Sequence, residues 1–412
     1  MKILIVNFSD SSGGAARAAS RLHQSLLNIN VDSKMFVLMK NTDSYLVHGS
    51  KTNIEKVFAK LKALINPFPL RKYKKTGPFS PSFSLSFNLV KRINEFKPDI
   101  VHLHWVNAGM LRVEDLKKIE APIVWSLHDM WPFTGGCHYS DNCKAYELSC
   151  GKCPVLNSTR SNDISKKLFR RKQKEFKSIE NMTIVGLSKW LEQCAKSSTL
   201  FKDKKVVNLP NPIDTTVFKP FDKEKARELW NLPLDKNLVL FGAMSATSDS
   251  RKGFKELMSA LKGIKSKNIE LLIFGSAKPE ISYNFGFKTH YLGQLYDDAS
   301  LVMLYNLADV MVVPSLQENL SNVIVESLSC GTPVVGFNIG GNSDLINHQE
   351  NGYLAEPLNV EDLAKGIDWV IENKNYVNVC EEAREKVVNN FDSNDVAKDY
   401  VTLYTEILEN KI

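Results

Sequence analysis

Val310-Met-Val-Val-Pro-Ser-Leu-Gln-Glu318-Asn-Leu-Ser-Asn322-Val-Ile-Val-Glu326-Ser-Leu-Ser-Cys330-Gly-Thr-Pro-Val-Val-Gly-Phe-Asn-Ile-Gly-Gly341 decides how this chain is read. The short apolar run Val310–Val313 ends at Pro314 and reads as a buried strand. A helical pattern follows, and Cys330-Gly331-Thr332-Pro333 stops it with a glycine and a proline. Strand, loop and helix N-terminus in that order build an anion site. Free backbone N–H groups and the positive end of the helix dipole point at whatever docks there. Glu318 stands at the entry of that site. Glu326 follows with seven residues between, roughly 7 Å down the helix at ~1.5 Å per residue. Its neighbours Val323, Ile324, Val325 and Leu328 make the helix apolar around most of its girth. Such a helix is largely buried, so Glu326 needs a partner. The spacing suits a ligand with a diphosphate in its middle and hydroxyl-bearing rings on both sides.

The same alternation runs along the whole chain. Apolar runs expected as strands are Ile3–Phe8, Met35–Met39, Ile100–Trp105, Ile123–Leu127, Thr183–Leu187 and Val206–Leu209, then Leu238–Phe241, Ile269–Phe274, Tyr291–Leu295, Val310–Val313, Val334–Phe337 and Tyr353–Leu354. Helical patterns separate most of them, at Ala15–Leu27, Phe87–Phe96, Gly253–Leu261, Leu301–Leu307 and Val360–Ile371. This predicts an α/β protein with two doubly wound parallel sheets. The chain of 412 residues is long enough for two ordinary domains. Pro210-Asn-Pro-Ile-Asp-Thr-Thr-Val-Phe-Lys-Pro220 is the expected crossing between them. A final helix is expected over Asn394–Leu408, with Val396, Tyr400, Leu403, Tyr404 and Leu408 on one stripe.

These motifs together resemble the group 1, or family 4, nucleotide-sugar glycosyltransferases. The resemblance covers nearly the whole chain. It rests on Glu318-x7-Glu326, on the Cys330–Val334 and Gly340-Gly341 segments, on the Pro210–Pro220 crossing, on Asn351-Gly352-Tyr-Leu, and on Ser126-Leu-His128-Asp. It implies the GT-B fold: two Rossmann-like domains facing a central cleft. Residues 1–207 would bind the acceptor and residues 208–392 the nucleotide sugar, with the helix at 393–412 packed back on the first domain. It also implies transfer with retention and without a catalytic metal. One departure stands out: many members have Gly-Phe-Gly after the first Glu, where this chain has Asn319-Leu320-Ser321.

The resemblance assigns roles residue by residue. Glu318 would orient the donor sugar and Glu326 would bind the ribose hydroxyls. Asn319, Leu320, Ser321 and Asn322 would present amides to the diphosphate. Lys252 matches the lysine that neutralises the leaving group; the arginine usual after Gly242 is absent, and Arg251 is the candidate substitute. Gly13 and Gly14 follow the first strand and open a helix, so the backbone there can approach a ligand closely. The spacing is not G-x-G-x-x-G, which weakens a dinucleotide reading. His128 ends a strand and is expected beside the donor sugar; His102 and His104 end another, and His104 could border the same site.

Cys137, Cys143, Cys150 and Cys153 form C-x5-C-x6-C-x2-C in a glycine-rich loop. Four cysteines so close in a reducing compartment suggest a structural zinc; reduced thiols, an iron–sulfur cluster and disulfides are the alternatives. No cofactor is expected in the reaction itself. No apolar run reaches the ~20 residues that span a bilayer, and the first eight residues read as a strand rather than a signal segment. A cytoplasmic protein is therefore expected. Its net charge of +7 is carried entirely by residues 51–75, where Lys51, Lys56, Lys60, Lys62, Arg71, Lys72, Lys74 and Lys75 face Glu55 alone. Apolar residues interleave there, so this stretch is a candidate for contact with an anionic membrane at the inner face of the cell membrane. Nucleic acid is not an expected partner, because no binding motif accompanies the charge. The reading is a transferase acting on a glycan or polyprenyl-linked acceptor of bacterial surface polysaccharide. The alternatives are a sugar-nucleotide epimerase on the same double sheet and a catalytically dead zinc-containing binding protein.

Overall fold

The computed structural model describes residues 1–50, 52–84, 89–242, 249–275, 286–295 and 297–410. The chain divides into two units, Met1–Pro212 together with Val396–Ile412, and Ile213–Asp395.

The first unit carries β1 (Lys2–Ser9), α1 (Gly14–Asn28), β2 (Asp32–Met39), β3 (Val47–His48), α2 (Asn53–Ile65), α3 (Leu89–Glu95), β4 (Ile100–Leu103), β5 (Ile123–Leu127), α4 (Ile164–Lys177), β6 (Met182–Gly186), α5 (Lys189–Ser197) and β7 (Lys205–Asn208). Its sheet is parallel, in the order β3-β2-β1-β4-β5-β6-β7. Helices cover the sheet, so its central strands β1, β4, β5 and β6 are buried and read as continuous apolar runs. β5 is buried along its whole length, and Trp125 is anchored by its indole N–H donating to the His104 carbonyl at 3.0 Å.

The second unit carries α6 (Lys223–Leu229), β8 (Asn237–Gly242), α7 (Phe254–Gly263), β9 (Ile269–Phe274), β10 (Lys288–Tyr291), α8 (Asp298–Leu307), β11 (Val310–Val313), α9 (Asn322–Ser329), β12 (Val334–Phe337), α10 (Asn342–Leu345), β13 (Gly352–Ala355), α11 (Val360–Ile371) and α12 (Tyr376–Phe391). Its sheet, again parallel, has the order β10-β9-β8-β11-β12-β13. Both orders reverse direction beside the first strand of the unit. Ligands of such sheets bind at that reversal, outside the carboxyl ends of the strands.

The last helix, α13 (Ser393–Glu409), belongs from Val396 onward to the first unit. Tyr404 and Tyr400 are fully buried there, and the Tyr404 hydroxyl lies 2.6 Å from His102 Nδ1. The chain passes between units near Pro212. Ile213 then donates its amide to the Phe391 carbonyl at 2.9 Å.

One expected strand is displaced. Tyr291–Leu295 is apolar, but the strand lies at Lys288–Tyr291. β10 is an edge strand. Its place is fixed by the ladder to β9 and by Glu270, which takes His290 at 2.6 Å and Lys288 at 3.3 Å. The two-residue β3 carries too little apolar pattern to announce itself. The first residues of the helical pattern expected from Phe87 lie outside the described residues.

Candidate active site

In the second unit the reversal lies between β8 and β11. The loop after β11, Pro314–Ser321, leads into α9. Beyond β8, residues 243–248 lie outside the described ones, and a short turn at Ser250–Lys252 opens α7. These two loops are tied together. The Leu316 amide donates to the Arg251 carbonyl at 2.8 Å. Gly253 sits between them at φ +73°, where a Cβ would come within 1.7 Å of the Pro314 carbonyl oxygen. Only glycine fits both that conformation and that contact.

The close approach brings Lys252 to Glu318, Nζ to Oε2 at 3.0 Å, with both side chains largely buried. Arg251 instead turns back on Asp249, in a forked pair at 3.1 and 2.6 Å. Asn319, Leu320 and Ser321 are buried in the loop, and Asn322 starts α9. Ser321 makes no side-chain cap bond, and no carboxylate lies in the first turn. The positive end of this helix, with no cap from Ser321, favours an anion.

Glu326 is 1% exposed, on the inner side of α9. The hydroxyl of Tyr305, from α8, donates to its Oε2 at 2.7 Å, and Tyr305 is itself fully buried. The Tyr305 carbonyl accepts from Thr332 Oγ1 at 2.7 Å, so the stop after α9 and the partner of Glu326 are held by one residue. Burial, with the Glu326 carboxylate beside it, pushes the Cys330 thiol well up.

In the first unit Gly13 caps α1 at φ +94°, with open space where a Cβ would point, and Gly14 begins the helix. The turn before it is set by Ser9 Oγ, which accepts from the Ser12 amide at 3.2 Å, and by Asp10, which accepts the Thr42 amide at 2.9 Å. His104 and His128 stand just past the ends of β4 and β5. His104 Nδ1 lies 2.9 Å from His128 Nε2, and among the described residues His104 Nε2 is buried without a partner. Burial pulls all three strand-end histidines down: His102 to about 3, His128 to about 4, and His104 well below the ordinary range with its two histidine neighbours adding to the effect. They are neutral hydrogen-bonding groups at ordinary pH. Next in sequence, Asp129 is buried and accepts from His138 Nδ1 at 2.6 Å, the Trp131 amide at 2.8 Å and the Trp105 indole at 3.1 Å. Burial works to raise its pKa, but these partners hold it below the usual carboxylate range.

Residues 12–217 match the family described as Glycosyltransferase Family 4, and residues 222–388 match Glycosyl transferases group 1. The chain belongs to this glycosyltransferase family. Among its relatives, an uncharacterised glycosyltransferase of Methanocaldococcus jannaschii is 25% identical over 336 residues, covering 75% of this chain and 83% of the relative. A glycosyl transferase assigned to colanic acid biosynthesis in Escherichia coli is 24% identical, covering 81% and 82%. A Campylobacter jejuni transferase whose name gives its acceptor as N,N'-diacetylbacillosaminyl-diphospho-undecaprenol is 27% identical over 46% of this chain and half of its own length. The sucrose-phosphate synthase of Thermosynechococcus elongatus shares the fold at a TM-score of 0.69 with 19% identity, covering 100% of both chains. The fold is GT-B.

Some neighbours of the candidate site residues carry no mark in the sequence. Tyr305 was not singled out as the partner of Glu326, although it is the one hydroxyl-bearing aromatic in the apolar pattern of α8. The Asp129–His138 pair joins residues nine apart across a loop, and no local pattern marks it. The four-cysteine loop was singled out, and the structure lines one cavity with Cys137, Cys143, Cys150 and Cys153, beside Tyr146 and Val155. Burial pushes the Cys150 thiol up to about 12, and Cys137 and Cys153 up as well. Among the described residues, no three of His, Cys, Asp and Glu are grouped closely enough to hold a metal ion as they stand.

Proposed function

We propose that this transferase moves a sugar, with retention and without a catalytic metal, from a nucleoside-diphosphate sugar to a glycan or polyprenyl-linked acceptor of a bacterial surface polysaccharide. The observation that carries the reading is the Lys252–Glu318 contact of 3.0 Å at the carboxyl ends of β8 and β11, beside the uncapped start of α9. It sets a cation and an acceptor group where the fold binds anions. A donor diphosphate competes with Glu318 for the ammonium. It takes Lys252 and the first amides of α9, through Asn319–Asn322, and releases Glu318 to accept from the sugar hydroxyls. Lys252 then faces the charge that grows on the leaving phosphate, which is where a fixed cation lowers a barrier most. Glu326 receives the ribose hydroxyls, with Tyr305 holding its other face. His128, neutral, hydrogen-bonds a sugar hydroxyl, and the Gly13–Gly14 turn admits a ligand close to backbone. Arg251 is engaged by Asp249, so its part in holding phosphate requires that pair to open.

The acceptor reading is supported by the relatives whose names give colanic acid biosynthesis and an undecaprenol-linked acceptor. It is supported also by α2. Val57, Leu61, Leu64 and Phe68 recur along this segment at helical spacing, and all are exposed, Leu64 to 75%. Lys56, Lys60, Arg71, Lys72, Lys74 and Lys75 are exposed along the same stretch, while Lys62 turns inward. An exposed apolar stripe with basic residues along it fits an anionic bilayer surface. Among the described residues, no helix is long and apolar enough to cross a membrane.

The test is a panel of nucleotide sugars offered with and without polyprenyl-phosphate-linked acceptors, with the anomeric configuration of the product read by NMR. An inverted product would remove the retaining mechanism, and an epimerised donor formed without acceptor would establish the isomerase reading instead.

A further inference from the structure

We propose that Cys137, Cys143, Cys150 and Cys153 take up one zinc ion in the cavity they line, and that Lys172 is its buried countercharge.

The site is assembled from two directions. Cys137 and Cys143 come from the loop after β5, and Cys150 and Cys153 from the turn that leads toward α4. Cys137, Cys150 and Cys153 are each under a tenth exposed. Their shared cavity has almost wholly apolar walls. The Cys150–Cys153 turn has the C-x2-C spacing of metal-binding turns. Gly151 lies at φ +141° and Lys152 at φ +48°, so the backbone turns tightly between Cys150 and Cys153, which line the same cavity. The Gly135 amide already donates to Cys150 Sγ at 3.2 Å. Such N–H···S contacts favour thiolate over thiol. The tightness is not incidental. A Cβ on Gly135 would lie 2.8 Å from the Cys150 Cβ, and one on Gly151 would lie 2.5 Å from the Ser161 carbonyl.

The independent observation is Lys172. It sits on α4, is 0% exposed, and lays its ammonium 3.7 Å over the Trp131 ring. Its Nζ donates to the carbonyls of Trp131 and Thr134, the latter at 3.0 Å. No carboxylate is in ion-pair contact with it among the described residues. Burial of this lysine is costly and pulls its pKa down to about 7, with Asp129 acting on it only from beyond contact. Thr134-Gly135 joins it to the cavity: Thr134 carries the carbonyl that Lys172 holds, and Gly135 carries the amide on Cys150. Zinc bound by four thiolates has a net charge of −2, and a buried ammonium next to it offsets part of that charge. The balance of the step is simple. Four S–H bonds break, four protons leave to solvent, four Zn–S bonds of about 2.3 Å form, and nothing is oxidised. Closing on the ion draws the four sulfurs inward from the cavity walls. It would also fix the loop that carries His138, and through His138 the carboxylate of Asp129 beside His128.

The full chain, purified under reducing conditions without added metal, is assayed for zinc and iron by mass spectrometry. Its thiols are counted with a chromogenic disulfide before and after denaturation. The proposal expects about one zinc per chain, four protected thiols that react once the ion is removed, and no absorption near 400 nm. Cys150→Ser should lose the zinc. Lys172→Met should keep the stoichiometry but release the ion at least tenfold more readily to a chromophoric chelator. Iron with visible absorption, two disulfides, or a metal-free protein whose four thiols do not take up added zinc would each overturn it. So would a Lys172→Met variant that holds zinc as tightly as the native chain. These readouts do not depend on turnover, so they stand or fall apart from the donor-site reading.

Discussion

Replacing Glu326 by Gln separates a ligand-binding carboxylate from a buried structural one, since the structure allows both. The substitution preserves shape and keeps an oxygen that can accept from the Tyr305 hydroxyl, now at 2.7 Å. What it removes is the charge. Hydrogen bonds to a charged group contribute about 1.5–3 kcal/mol. If Glu326 takes the two ribose hydroxyls and one such bond's worth is lost, nucleotide affinity should fall by about 10- to 150-fold, at tenfold per 1.4 kcal/mol. Tyr305→Phe is the comparison. It leaves a carboxylate that is 1% exposed without its hydroxyl partner. An unsatisfied buried acceptor costs about 1–3 kcal/mol of stability, and more when charged. The two variants should therefore diverge: Glu326→Gln with weak nucleotide binding and a near-native melting temperature, Tyr305→Phe with a lowered melting temperature. Calorimetry with free nucleoside diphosphates, alongside thermal unfolding, reads both. A folded Glu326→Gln protein with native nucleotide affinity would refute the ribose assignment and leave Glu326 as a core group.

Lys252→Ala should lower kcat by about 100- to 1,000-fold, in the range of losing one preorganised electrostatic donor, with little change in unfolding temperature; a fully active variant would remove Lys252 from the chemistry. The first unit should lose stability in acid. His102 and His128 titrate near 3 and 4 when folded against an ordinary 6.5, so the unfolded chain binds protons the folded chain refuses. Their contribution is complete above about 6.5 and is lost as pH falls toward 4, by roughly 2 kcal/mol per histidine at pH 5. Urea unfolding at pH 7 and pH 5, compared with a His128→Asn variant, checks this. Replacing Arg71, Lys72, Lys74 and Lys75 with Gln should abolish binding to anionic vesicles at low salt, at about 1 kcal/mol per basic residue, and leave donor hydrolysis unchanged; a native protein that ignores such vesicles would reduce α2 to a solvated face.

The sequence alone carried the two parallel sheets. Buried on both faces, parallel strands must be apolar throughout, and Ile123–Leu127, Ile269–Phe274, Val310–Val313 and Val334–Phe337 are strands over those same residues. It carried the order of strand, loop and helix around Glu318 for the same local reason, because glycine and proline stops act on their own neighbours. It could not place β10, whose residues are held by Glu270 across the ladder rather than by their own apolarity. Nor could it supply the partners of the site. Lys252 reaches Glu318 only because Gly253 lets two loops touch, Tyr305 finds Glu326 from another helix, and His102 meets Tyr404 across 302 residues of sequence. The sequence marked residues 51–75 as basic and interleaved; which side faces out depends on what Ala59 and Lys62 bury against, and that left Val57, Leu61 and Leu64 to solvent. The four cysteines were visible as a spacing, but the lysine beneath them was one basic residue in a run, Lys166-Lys-Leu-Phe-Arg-Arg-Lys172-Gln-Lys174. Periodicity reports which residues a segment hides, and long-range packing alone decides what each hidden polar group is hidden against.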